Sequence, residues 1–109
     1  MDQAVRQSAH DLTLPNGGIL PGKAWRGDPT AAWTPETAGF ALYEAATGDH
    51  AAATTHLTWL AAHRTAAGSL PEKVNADGLP ASVAPLAWTA ATVLLALTAQ
   101  QTPLPTPPA

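Results

Sequence analysis

Gly68-Ser69-Leu70-Pro71-Glu72-Lys73-Val74 lies between a helical pattern and a long uncharged one, and the reading of the chain turns on it. Gly68 can take the left-handed conformation that stops a helix, and Leu70 can fold back over the last turn. Pro71 fixes its own φ and biases Leu70 towards an extended backbone. The chain holds three glutamates, Glu36, Glu44 and Glu72, and Glu72 is the one in a loop at a helix end. A carboxylate held this way has a defined direction. Loops that carry chemistry on a rigid scaffold are built like this, and so are many ordinary helix connections.

Upstream, Thr34-Pro35-Glu36 starts a helix. Thr34 can accept from the free amides, Pro35 suits the first helical position, and Glu36 favours the positive end of the dipole. Ala38, Ala41, Leu42 and Ala45 form one buried face, and Gly48 ends the helix. Asp49 caps the next one, with Ala53, Leu57, Leu60 and Ala61 on one face and Ala52, His56, Trp59 and His63 beside it. This second helix is expected to run to Ala67. A break as short as Gly48-Asp49 makes the two helices antiparallel neighbours. A short helix over residues 2–10 has Ala4, Val5, Ala9 and Leu12 as its apolar stripe. Residues 11–34 keep no period and carry the turn signals Pro15-Asn16-Gly17-Gly18, Pro21-Gly22 and Asp28-Pro29. Loops of that length are often functional.

Downstream, a third long helix is expected over residues 85–101. No charged side chain occurs from Gly78 to Ala109, and Leu86, Trp88, Val93, Leu94, Leu95 and Leu97 make this helix apolar nearly all round. Such a helix must be buried on every side, in a large core or in lipid. A membrane span needs about 20 apolar residues and usually basic flanks. This segment is shorter, starts at Pro85 and contains Thr89, Thr92 and Thr98, so no membrane is expected. Residues 102–109, rich in proline, read as a disordered or polyproline tail.

The chain has 109 residues, enough for one small domain or a piece of a larger one. A net charge of −3 argues against a nucleic-acid surface. Without cysteine there is no disulfide and no thiolate metal site. His56 and His63 lie a heptad apart, about 10 Å along one helix face, too far for one metal ion. No metal and no cofactor is expected. The first residues lack the apolar core of an export signal, which leaves the cytoplasm as the expected location. Arg26-Gly27-Asp28 spells an adhesion tripeptide, for which turn formation is the better account.

Helices that alternate up and down put every second connection at the same end. Loops 11–34 and 68–84 therefore share an end, opposite the Gly48 turn, and Trp25, Trp33, Glu36 and Glu72 can line one cleft. Three or four helices cannot surround a helix as apolar as 85–101, so further protein or self-association is implied. Glycoside hydrolysis uses an acid that protonates the leaving oxygen and a second carboxylate that acts on water or carbon. Glu72 with Trp25 and Trp33 fits that pattern. By composition and spacing alone, a loop glutamate paired with a nearby base fits as well.

The segment 68–78 followed by Ala84-Pro85-Leu86-Ala87-Trp88-Thr89-Ala90-Ala91 resembles the C-terminal end of the glucoamylase family, glycoside hydrolase family 15. That family shows a Gly-x-Leu/Met-Pro/Ser-Glu-Gln motif, a short variable loop and a Leu-x-Trp-Ser-x-Ala helix start. The likeness reaches upstream through Trp33-Thr34-Pro35-Glu36-Thr37 and the helix carrying Trp59, Leu60, His63 and Arg64. It implies an all-α fold, part of an (α/α)6 toroid: about two helical hairpins with long loops at one end. Residues 1–101 would then be a C-terminal fragment of the catalytic domain. The resemblance also implies hydrolysis of α-glucosidic bonds with inversion. Glu72 falls on the general base, and Trp88 on the aromatic of the following inner helix. Trp25, Trp33, Glu36 and Trp88 are the candidates for contact with the carbohydrate.

Three departures bear on this. Lys73 stands where the family has Gln, and Thr89 where Ser is common. The general acid belongs to an earlier part of the barrel, outside the matched residues. The 109-residue piece alone is thus expected to be inactive. A non-catalytic carbohydrate-binding or degenerate barrel, a related hydrolase such as a trehalase, and a helical module self-associating through 85–101 are the alternatives.

Overall fold

A computed structural model describes residues 2–105. Helix α1 spans Asp2–Leu12, α2 Thr34–Ala46, α3 His50–Ala62 and α4 Ala87–Gln101. Helix α2 is central and packs along both α3 and α4, which touch each other far less. Its buried side is made of small residues. Ala38, Ala41 and Ala45 are buried as their spacing requires, as are Ala53 on α3 and Thr89, Ala96 and Ala99 on α4. Leu42 and Leu104 pack against the cluster of Ala45, Ala53 and Ala99. Leu104 belongs to the tail expected to be disordered over 102–109; residues 106–109 lie outside the described residues.

The helix stops follow from individual residues. Gly48 turns the chain at φ +91°, and the Asp49 carboxylate accepts from the Ala52 amide at 3.2 Å to cap α3. Helix α3 ends at Ala62 and not at the expected Ala67. The Nδ1–H of His63 donates to Trp59 O at 2.7 Å, the carbonyl its own amide would take in a continuing helix, and that amide bonds Leu60 O instead. Residues 65–69 close into a separate turn through Thr65 and Ser69, with Gly68 at φ +86°. Ala61, expected on the buried face, is exposed.

Each of the two long loops contributes to a small sheet, and the fold is mostly α. Strand β1 (Ala32–Trp33), β2 (Lys73–Val74) and β3 (Pro80–Ala81) form an antiparallel sheet in that order. Trp33 pairs with Lys73 and Ala32 with Val74, and Lys73 pairs in turn with Ala81. The β2–β3 hairpin closes on Asn75, whose Oδ1 accepts from the amides of Asp77 and Leu79. Ala32 and Val74, a pair of the ladder, are fully buried, as is Ile19, whose carbonyl accepts from the Trp33 amide. Asn16 Nδ2–H donates to Asn75 O at 3.0 Å and so ties the first loop to the second.

Helix α4, expected to be buried on all sides, is not covered on all sides by this chain. It turns its small residues to α2 and leaves Trp88, Leu94, Leu95 and Leu97 exposed. Among the described residues no helix is long and apolar enough to cross a membrane.

Candidate active site

The sheet pairs the strand that carries Trp33 with the strand that follows Glu72. Glu72 is held along its backbone on both sides. Its amide donates to Val83 O at 2.9 Å, and its carbonyl accepts from the Thr34 amide at 2.9 Å. The Ser82 hydroxyl donates to Glu72 Oε1 at 2.7 Å, which fixes the carboxylate and leaves Oε2 for another partner. Ser82 itself sits at φ +64°, a left-handed conformation uncommon for serine that turns its side chain back to Glu72. Pro71, directly before Glu72, is buried, and Pro71 O accepts from the Thr34 hydroxyl at 2.5 Å. Thr34 therefore does not cap α2 with its side chain as expected. It braces the Glu72 loop, and Trp33 occupies the cap position without a side-chain bond.

Trp25 and Trp33 meet edge to face, with ring centroids 5.2 Å apart. The Lys73 ammonium lies 4.4 Å from the centre of the Trp33 ring, a cation–π contact. Lys73 thus covers one face of the Trp33 ring. Trp25 keeps 42% of its surface exposed. Gly27 fits beneath it, since a Cβ there would come within 2.5 Å of the indole. Asp28, of the Arg26-Gly27-Asp28 tripeptide, has its carboxylate bonded by the Thr30 hydroxyl and amide, which hold its pKa below the usual range.

Glu36 stands on the first turn of α2. One carboxyl oxygen, Oε2, is buried and has no hydrogen-bond partner among the described residues. Burial pushes the Glu36 carboxyl up from its ordinary value, against a hydrogen bond from its own amide, and the charge of Glu72 pushes the same way. Trp88, on the first turn of α4, is 65% exposed, and among the described residues no ring contact joins it to Trp25 or Trp33.

Two features escaped sequence reasoning. No spacing rule picks out Ser82, ten residues after Glu72, because a hairpin brings it back. Glu44, the third glutamate, pairs with His56 at 2.7 Å between α2 and α3, and both side chains are nearly buried. The visible signal was an acid one turn before Gly48 and a histidine two turns after Asp49. His63 stacks on Trp59 with centroids 4.3 Å apart, so the two heptad-spaced histidines serve separate packing roles. No protein-family model matches the chain, and no curated protein or solved structure matches it either.

Proposed function

We propose that this chain is the C-terminal part of a glucoamylase-like, inverting glycoside hydrolase, one section of an (α/α)6 toroid, in which Glu72 is the general base. The observation that carries the reading is the β1–β2 pairing. It pairs Trp33, against whose ring Trp25 packs, with Lys73, the residue after Glu72, while the Thr34 amide, two residues before Glu36, bonds Glu72 O. In this role Glu72 accepts a proton from the water that attacks the anomeric carbon, while a carboxylic acid elsewhere in the barrel protonates the leaving oxygen. The Ser82 hydroxyl orients Glu72 by occupying Oε1. Trp25 offers an apolar face to the sugar ring, and Glu36 an acceptor for a hydroxyl. The uncovered apolar face of α4 supports a toroid, in which neighbouring helices would cover Trp88 and the leucines.

The test is Glu72→Gln in the complete protein, assayed on maltooligosaccharides. The expected result is a loss of turnover of about 10²–10⁴-fold with the fold intact, the usual range for a general base. Unchanged turnover would reject the assignment. A second reading, a barrel that holds glycans without cutting them, is favoured by Lys73 lying on the Trp33 ring. Glycan binding by the complete protein with no release of glucose, in the variant and in the parent alike, would select it.

A further inference from the structure

We propose that Thr89, on the first turn of α4, is a positioning residue for Glu72, which it reaches through the Thr34 hydroxyl and the Pro71 carbonyl. The inference rests on the reading of Glu72 as the general base and adds to it a residue that sets its aim. Helix α4 carries three threonines. Two of them turn their hydroxyls on their own helix: Thr92 donates to Trp88 O and Thr98 to Leu94 O, each at 2.9 Å. Thr89 instead reaches across to α2. Its side chain is fully buried, and its hydroxyl lies 2.8 Å from that of Thr34, which is equally buried. The Thr34 hydroxyl in turn donates to Pro71 O at 2.5 Å. A hydroxyl has one proton to give, so Thr89 is the donor of the pair and Thr34 its acceptor.

The position of Pro71 gives this bond its leverage. Proline fixes its own φ and the peptide unit is planar, so ψ of Pro71 alone orients the peptide that leads into Glu72. Both ends of that peptide are bonded: Pro71 O by the Thr34 hydroxyl, and the Glu72 amide by Val83 O at 2.9 Å. The carbonyls on either side are held too. Leu70 O accepts from the Leu86 amide and Glu72 O from the Thr34 amide, each at 2.9 Å. Of these bonds only the one to Pro71 O comes from a donor that can rotate, because a hydroxyl turns about its C–O bond. By donating to the Thr34 oxygen, Thr89 occupies the direction in which that proton would otherwise be free to point. The Thr34 proton is left to Pro71 O. Burial of Thr34, Pro71 and Thr89 keeps solvent from the joint, and an orphaned group there has no water to turn to. The Glu72 carboxylate, already bonded at Oε1 by Ser82, thus takes its direction in part from α4.

The experiment measures kcat and KM of the complete protein on maltooligosaccharides in the parent, Thr89→Val, Thr89→Ala, Thr89→Ser and Glu72→Gln. Valine keeps the volume and removes the donor, alanine removes the donor by truncation, and serine keeps it. The expected result in the valine and alanine variants is a fall in kcat of at least about tenfold, within the roughly 10²-fold cost of misplacing a reacting group by 1 Å. KM should stay within about twofold of the parent, the pattern of an interaction that matters in the transition state. Thr89→Ser should return kcat close to the parent value. A packing role alone would lower Tm and leave kcat per folded molecule unchanged, and circular dichroism fixes the folded fraction. Hydrogen exchange at the Glu72 amide, faster in the donor-free variants than in Thr89→Ser, provides a readout that needs no turnover. Unchanged kcat and unchanged exchange in a folded donor-free variant, with Glu72→Gln inactive, would overturn the positioning role and leave the general base standing. Full turnover in Glu72→Gln would overturn both.

Discussion

The hydroxyls of Thr34 and Thr89 lie 2.8 Å apart, both in fully buried side chains, and the Thr34 hydroxyl donates its hydrogen bond to Pro71 O. The order of donors is therefore Thr89 to Thr34 to Pro71, a chain that links α4, the head of α2 and the loop that carries Glu72. Thr34→Val keeps the shape and removes the middle link, leaving a buried carbonyl and a buried hydroxyl unsatisfied. The expected cost is about 1–3 kcal/mol, read by urea denaturation, with Thr34→Ser close to the parent. Hydrogen exchange at the residue 34 amide, which bonds Glu72 O, should accelerate in the valine variant. An unchanged exchange rate there would show that the hydroxyl does not brace the loop.

Gly18 is the tightest place in the first loop. A Cβ there would lie 2.4 Å from the Ala32 Cβ and 2.5 Å from the Trp59 ring. Neither neighbour can withdraw easily: Ala32 is a fully buried strand residue, and the Trp59 Nε1–H donates to Asn16 O at 2.7 Å. Gly18→Ala is expected to destabilise by about 1–3 kcal/mol, as overpacking does. Gly39→Ala, in open space on a helix, should instead gain about 0.5–1 kcal/mol. Thermal unfolding of the pair makes the comparison, and equal effects would show that the contact at Gly18 is relieved by movement of the loop.

Much of the helical frame was legible because its signals are local. Pro35, Gly48 and Asp49 act on the turn in which they stand, and loop parity followed from counting the breaks. The sheet was not legible, because strands of two residues have no period to detect. Thr34 was misread because a hydroxyl at a helix head serves either its own amides or a neighbouring carbonyl, and only the fold brings Pro71 O within reach. The end of α3 was misread for a related reason: the His63 side chain supplies the bond that its amide would have made. Helix α4 showed its apolar character in full, but hydropathy does not say which molecule covers Trp88, Leu94, Leu95 and Leu97.

The Glu44–His56 pair joins α2 to α3 on the side of α2 next to Phe40, whose ring centre is 6.4 Å from that of His56. Removing either partner leaves the other nearly buried without its bond. Glu44→Ala is expected to cost about 1.5–3 kcal/mol, the range for hydrogen bonds to charged groups. His56→Ala should fall in the same range. The double variant should cost less than the sum of the two, by a coupling of at least about 0.5 kcal/mol. A urea-denaturation cycle measures this directly, and strict additivity would show that the two side chains act through packing alone.

Glu36 gives the pH dependence its sign. Burial, with a further contribution from the Glu72 charge, holds its folded pKa above the ordinary 4.5. Between 4.5 and that raised value the folded state binds the proton more tightly than the unfolded chain does, so stability falls as pH rises. The contribution is complete below 4.5 and is lost as pH passes through the folded pKa. Glu36→Gln, which cannot ionise, should therefore be more stable than the parent at neutral pH, and the two should converge below 4.5. Glu72→Gln removes the smaller of the two causes and should lower the pH at which the parent's stability declines. Thermal unfolding across this pH range reads all three proteins. A constant gap between parent and Glu36→Gln, at acid and neutral pH alike, would assign the difference to packing and not to the proton.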